Sequence, residues 1–288
     1  MSGKSKYDVT MRSARATQLG YDTKSREEIF TQRGVHELMS PIGLKFRECF
    51  DSDTNPNSIP IIVGLDVTAS MGHIPHSLIK DGLPTMMSAI NEAGFKDATL
   101  CFVAIGDHLR DRGPLQVGQF ESGDAELDSW LQRTWLEGGG GGNGGETYSL
   151  AYYFAAKHTK THAWEKRKQK GILFTIGDEP IHREMDKYSV QSIFGQEEPV
   201  EDTVTTEAIL KEAQERYHVC HIAVGDMRDS HGWKSFLGEN YFQLEDYTKV
   251  GKFIAAKTVE ILGKRTSTVN MPIVTGTPTE LDEQEILL

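Results

Sequence analysis

The sequence predicts an α/β fold: a doubly wound, mostly parallel central sheet of about six strands, with helices on both faces. Three observations carry this expectation. From Ile59 onward, short continuous apolar runs rich in β-formers alternate with segments of helical period, and strands buried on both faces need such runs. The links between runs are long enough for helical crossovers except for one, DHLRDRG, which is too short for a parallel connection. Four runs end in a carboxylate, and open α/β sheets bind their ligands beyond the carboxyl ends of strands.

Residues 1–58 are polar and mixed, and they close on DSDTNPNS, a composition that favours a loop. They read as an N-terminal extension. Its apolar clusters around Ile29, Phe30, Leu38, Met39, Ile42, Leu44 and Phe46 predict that part of it packs on the main domain. That domain is expected over 59–262. Its strands are IPIIVGL (59–65), TLCFVAIG (99–106), PLQVGQF (114–120), GILFTIG (171–177) and HVCHIAVG (218–225), with NYFQL (240–244) as a sixth. The third should be an antiparallel edge, because its connection to the second is so short.

Between the strands, Ile74, Leu78, Ile79, Met86, Met87 and Ile90 recur near a 3.6-residue spacing and predict a helix over 74–93. Pro84, which has no N–H, should kink it. Further helices are expected over 124–136, 147–159, 205–217 and 245–262, the last with Val250, Phe253, Ile254, Lys257 and Ile261 along one stripe. Residues 263–288 lack periodicity, end in TELDEQEILL and read as a flexible acidic tail.

With 288 residues, 38% hydrophobic and 25% charged, the chain can bury a sizeable core without covalent staples. No apolar run approaches the roughly 20 residues of a membrane span. The opening MSGKSKYDVTMRSARATQ has positive charges but no apolar region behind them, so no secretory signal is read and a cytoplasmic location is expected. Cys49, Cys101 and Cys220 are widely spaced, and two of them lie in apolar runs. They read as small buried hydrophobes, not as a disulfide framework.

The net charge of −11 repels nucleic acid and anionic lipid and favours basic partners or metal cations. The basic stretch at 157–170, KHTKTHAWEKRKQK, is the local exception. It reads as a solvated helix face, with phosphate contact as the other possibility. Neither a nucleic-acid partner nor a membrane is expected.

The strand-ending carboxylates are Asp66, Asp107, Asp178 and Asp226. If the first and fourth strands are neighbours at the reversal of strand order, Asp66 and Asp178 face the ligand site. Asp107 and Asp226 read as helix or loop caps. After the first strand, Asp66, Thr68 and Ser70 place one carboxylate and two hydroxyls at alternate positions. These are hard oxygen donors suited to Mg²⁺ or Mn²⁺, although the same residue types also cap helices. A second oxygen-rich loop favours the metal: residues 138–145 hold seven glycines and deliver Glu146, Thr147 and Ser149 to the start of a helix. The GxGxxG contained in this loop follows no strand, and a GK[ST] is missing, so nucleotide binding is weakly supported.

The order Asp66-x-Thr68-x-Ser70, then Thr147 in a mid-domain loop, then Asp178 after the fourth strand resembles the metal-ion-dependent adhesion site of the von Willebrand factor A (vWA) domain. The strings DVTASMG, NGGETY and FTIGDE look most like intracellular vWA-like proteins of bacteria and their viruses. The likeness covers about residues 59–262. Two features depart from it: Ala69 stands where Gly is frequent, and the glycine loop is longer than adhesion domains carry. The resemblance implies that Thr68, Ser70 and Thr147 give hydroxyl ligands, while Asp66 and Asp178 act largely through water. It also implies Mg²⁺, or Mn²⁺ or Ca²⁺ in its place, with one position left for an acidic side chain of a protein partner. The expected function is thus cation-dependent protein binding, with specificity from the loops at 73–75, 138–145 and after Asp178.

The rival reading is an Mg²⁺-dependent phosphohydrolase of haloacid dehalogenase type, with Asp66 as nucleophile and Asp178 on the metal. It matches incompletely, since Thr68 stands where that motif has its second Asp. A Ser70 nucleophile is weaker still, because Gly64-Leu65-Asp66 is not a G-x-S-x-G elbow. His108, His158, His162, His182, His218 and His221 show no tight ligand spacing, so the sequence assigns them no zinc role.

Overall fold

The computed structural model describes residues 6–68, 71–138, 145–225 and 230–266. Ser70, Asp226 and the expected tail beyond residue 266 therefore lie outside the described residues.

The strands are β1 (Arg47–Cys49), β2 (Ile59–Asp66), β3 (Ala98–Ile105), β4 (Leu115–Val117), β5 (Thr159–Thr161), β6 (Gly171–Gly177), β7 (Glu184–Asp186), β8 (Thr203–Thr205), β9 (Tyr217–Val224) and β10 (Tyr241–Leu244). Six of them form the central sheet in the order β4-β3-β2-β6-β9-β10. All its pairings are parallel except β3 with β4, where the nine-residue link, 106–114, is too short for a parallel crossover and makes a hairpin. This is the α/β sheet that the alternating runs predict. Strand β2 pairs with β3 on one side and β6 on the other, so strand order reverses at β2. Asp66 lies level with Ile105, and Leu65 with Ile176. Asp66, Asp107 and Asp178 consequently emerge at one crest of the sheet.

The helices are α1 (Val9–Leu19), α2 (Arg26–Ile29), α3 (His73–Ser77), α4 (Leu83–Glu92), α5 (Asp124–Gln132), α6 (Ser149–Lys157), α7 (His162–Arg167), α8 (Lys187–Phe194), α9 (Thr206–Arg216), α10 (Ser230–Leu237) and α11 (Val250–Thr266). Alternate side chains of each strand enter opposite layers. Ile62 and Leu173 join Tyr152, Phe154 and Ile209 of α6 and α9. Ile61, Val63 and Ile172 join Met86, Ile90 and Ile254 of α4 and α11. Among the described residues, no helix is long and apolar enough to cross a membrane.

The helix expected over 74–93 is interrupted one turn earlier than Pro84. Leu78–Gly82 forms a π-type turn in which the Leu83 N–H returns to the Leu78 carbonyl. Pro84 has no proton for the carbonyl of Lys80, and the wider turn absorbs that missing bond. The turn also serves packing. A Cβ on Gly251 of α11 would meet Gly82 Cα at 2.7 Å, so the two backbones cross in contact.

Several elements differ from the sequence reading. Residues 9–19 are helical although their apolar content is low, and the helix is anchored by a buried ion pair, Arg12 Nε to Asp128 Oδ1 at 2.8 Å. Strand β1 pairs in parallel with β5, inside the stretch that reads as a solvated basic face. The long segment after Asp178, expected as a loop, instead holds β7, α8 and β8. Val190, Ile193 and Phe194 of α8 enter the core, so the exposed Tyr188 and Ser192 are the positions left to define a surface.

Candidate metal centre

The site begins with Asp66, which caps its own loop. Its Oδ1 accepts the Thr68 N–H at 2.9 Å and the Thr68 hydroxyl at 2.6 Å. Its Oδ2 accepts the Tyr148 hydroxyl at 2.7 Å. Three donors favour the carboxylate, yet burial outweighs them and, with a smaller push from Asp178, raises the Asp66 pKa to about 7. Tyr148 reaches Asp66 across the end of β6, where Gly177 leaves the space: a Cβ there would overlap the Tyr148 ring.

The glycine-rich loop ends in Glu146, whose backbone joins the segment after β6. Its N–H donates to the Pro180 carbonyl at 2.8 Å, and its carbonyl accepts the His182 N–H at 3.1 Å. The side chain is 1% exposed, and Oε2 has no hydrogen-bond partner among the described residues. Burial, then the charges of Asp66, Asp111, Asp107 and Glu179, push its pKa up to about 10. A buried carboxylate crowded by carboxylates sits in a field that a cation would relieve. That orphaned oxygen and the all-oxygen donor set fit a hard divalent ion.

Thr147 points elsewhere. Its Oγ1 accepts the His108 N–H at 3.0 Å, lies 2.7 Å from His108 Nδ1 and lies 3.4 Å from Asp107 Oδ1. His182 Nε2 approaches the same Asp107 oxygen at 3.1 Å. Asp107, His108 and His182 thus offer ligand atoms that all lie within 4.8 Å of one another. Burial, and then the neighbouring His182, lower the His108 pKa and favour its neutral form. This corrects the expectation that the histidines have no metal-ligand arrangement. It also extends the role of Asp107, which caps the Leu109 N–H and sits inside the cluster as well.

Among the residues expected at the metal, Asp66 and Thr68 are hydrogen-bonded and Asp178 acts electrostatically on Asp66. Thr147 is engaged by the Asp107–His108 group, and Ser70 lies outside the described residues. The sequence reading missed Tyr148 and the histidine pair. The available signal was an Asp-His dipeptide at one strand end and a His four residues beyond the Asp that follows β6. They are 74 residues apart, and only the sheet order brings them together.

No protein-family model and no curated protein sequence matches the chain. Solved structures do. The pilus adhesin SpaC of Lactobacillus rhamnosus GG aligns in its open conformation with a TM-score of 0.50 at 10% identity, over 74% of this chain and 31% of the adhesin. A second SpaC structure gives 0.50 at 11% identity, over 74% and 32%. Proximal thread matrix protein 1 of the mussel byssus, in a form with a zinc-occupied metal-ion-dependent adhesion site, gives 0.45 at 10% identity, over 75% and 49%. This chain therefore spans about a third of the adhesin's length. The likeness to the adhesin establishes the fold, and with the strand order above, that fold is a vWA-like α/β sheet.

Proposed function

We propose that the chain is a divalent-cation-dependent protein-binding module whose ion sits at the sheet crest and accepts a carboxylate from a partner. The observation that carries this reading is Glu146 Oε2, a buried oxygen without a hydrogen-bond partner among the described residues, on a carboxylate that feels the charges of Asp66, Asp111, Asp107 and Glu179. Asp66, Thr68, Glu146 and Asp178 would hold the ion, and Ser70 belongs with them by its place in the motif. When bound, Mg²⁺, or Mn²⁺ or Ca²⁺, supplies a local positive charge on a protein of net charge −11, enough to attract an outside carboxylate.

The chain's own residues keep that position ready. Thr68 and Tyr148 fix the Asp66 carboxylate, and Gly177 leaves room for the Tyr148 ring. Both Asp66 oxygens are hydrogen-bonded, which suits a positioned acid better than the nucleophile of a phosphohydrolase. The three described cysteines are free and buried, in keeping with a cytoplasmic location.

The test is capture of a protein partner on the immobilised chain. Retention with Mg²⁺, release by EDTA and no retention on Asp66→Asn support the reading. Retention that ignores both EDTA and the substitution contradicts it.

A further inference from the structure

We propose that Asp107, His108 and His182 form a second cation centre, selective for a borderline ion such as zinc, with Thr147 standing between it and the carboxylates around Asp66. Two imidazoles and one carboxylate favour zinc, cobalt or nickel over magnesium or calcium. The crest would then hold two centres of different chemistry.

The spacing supports this. A tetrahedral ion with bonds of roughly 2.0–2.1 Å has donor–donor edges of about 3.3 Å. Asp107 Oδ1 lies 3.1 Å from His182 Nε2, 3.8 Å from His108 Nδ1 and 3.4 Å from Thr147 Oγ1. The two edges from Asp107 to the imidazoles bracket the tetrahedral value, and the ligand atoms of all three residues lie within 4.8 Å of one another. Ligation therefore needs the imidazoles to turn toward a common point and His108 Nδ1 to exchange its 2.7 Å contact with Thr147 Oγ1 for the ion.

The ligands are also held from behind. The His108 N–H donates to Thr147 Oγ1. The His182 backbone is fixed at both ends, its N–H on the Glu146 carbonyl and its carbonyl accepting the Thr206 hydroxyl at 2.6 Å. The Asp107 N–H donates to Asp111 Oδ2 at 2.8 Å. Such outer contacts keep ligands in place before the ion arrives.

Entry is available. A pocket of about 310 Å³ is lined by His108, Leu109, His182, Arg183, Glu184 and Asp186. Asp107 is fully buried behind the two imidazoles. An ion entering there meets nitrogen first and keeps a face toward the pocket, as in zinc sites that leave one position to solvent or to an incoming donor.

The inference stands independently of the ion at Asp66, and the experiment separates the two. Co²⁺ is titrated into the full chain in excess Mg²⁺ and followed by its visible absorption, then displaced with Zn²⁺. One equivalent is expected to give the bands of a low-coordinate nitrogen–oxygen site. His182→Ala and His108→Gln should each weaken Zn²⁺ by at least about tenfold and leave Mg²⁺-induced stabilisation unchanged. Asp66→Asn should do the reverse. Far-UV circular dichroism checks that each variant folds, and if one does not, the other decides. Zn²⁺ affinity unchanged in the folded histidine variants overturns the proposal, as does its loss in Asp66→Asn alone. Histidine-dependent Zn²⁺ binding without any Mg²⁺ response upholds it and counts against the function proposed above.

Discussion

The Tyr148 hydroxyl donates to Asp66 Oδ2 at 2.7 Å, with both residues buried. This bond joins the start of α6 to the end of β2, two segments 82 residues apart, and holds the carboxylate in a fixed orientation. Removing the donor leaves a buried oxygen without its partner, a loss of about 1–3 kcal/mol. Tyr148→Phe should lower stability by that amount in urea titration, with unchanged secondary structure. A change of only a few tenths of a kcal/mol would mean that the bond does not position Asp66.

Gly177 makes that contact possible. Added bulk there collides with the Tyr148 ring, which cannot retreat into a packed core without loss. Gly177→Ala should destabilise by about 1–3 kcal/mol and weaken Mg²⁺ binding, because it moves the ring off Asp66. The check is urea denaturation with and without Mg²⁺. Equal Mg²⁺ stabilisation in variant and wild type would contradict the link.

The N-terminal helix depends on charge instead of apolar area. Arg12 is 1% exposed and its Nε lies 2.8 Å from Asp128 Oδ1. Removing one member of a buried pair costs about 3–5 kcal/mol, and without Arg12 the buried Asp128 keeps only the more distant Arg15, at 3.8 Å. Arg12→Met should fall in that range, and Arg12→Met/Asp128→Leu should recover most of it. A double variant as unstable as the single would show that the loss comes from packing.

His221 gives the fold a pH dependence. Its ring is fully buried and stacked on Trp233, with centroids 3.5 Å apart, and Nδ1 lies 2.9 Å from the Thr175 hydroxyl. Burial lowers its pKa well below the ordinary value. As pH drops below about 6.5, the unfolded chain therefore binds a proton that the folded chain refuses, and stability falls; above that pH the group contributes no slope. The slope from this residue is at most about 1.4 kcal/mol per pH unit. His221→Phe keeps a ring against Trp233 and should remove this contribution, so that the variant gains stability relative to the wild type as pH falls from 7 to 5, while the raised pKa values of Asp66 and Glu146 act in the opposite sense in both proteins. Identical slopes in the two proteins would refute the assignment.

The sheet was legible because its strands are continuous apolar runs and each ends at a marked position. Asp66 and Asp178 could be assigned to the crest on the condition that the first and fourth strands are neighbours, which the pairing of β2 with β6 meets, and the short link after Gly106 implied an antiparallel edge. Other parts carry no periodic signal. Strands β1, β5, β7 and β8 have three residues each, too few for a pattern, and α1 is held by an ion pair that sequence cannot match to Asp128. The Asp107–His108–His182 cluster was invisible for the same reason. Its members are ordinary residues until the neighbouring strand ends bring them within a few ångströms. Thr147 was read toward Asp66 by motif order, whereas its hydroxyl turns to His108.

Mg²⁺-dependent stability, measured by urea denaturation of the wild type, Asp66→Asn and Glu146→Gln, tests the crest centre most directly. Saturation near one hundred times the dissociation constant should stabilise the wild type by about 2.7 kcal/mol and leave both variants nearly unmoved. An equal Mg²⁺ effect in all three proteins, or none in any, would contradict the account.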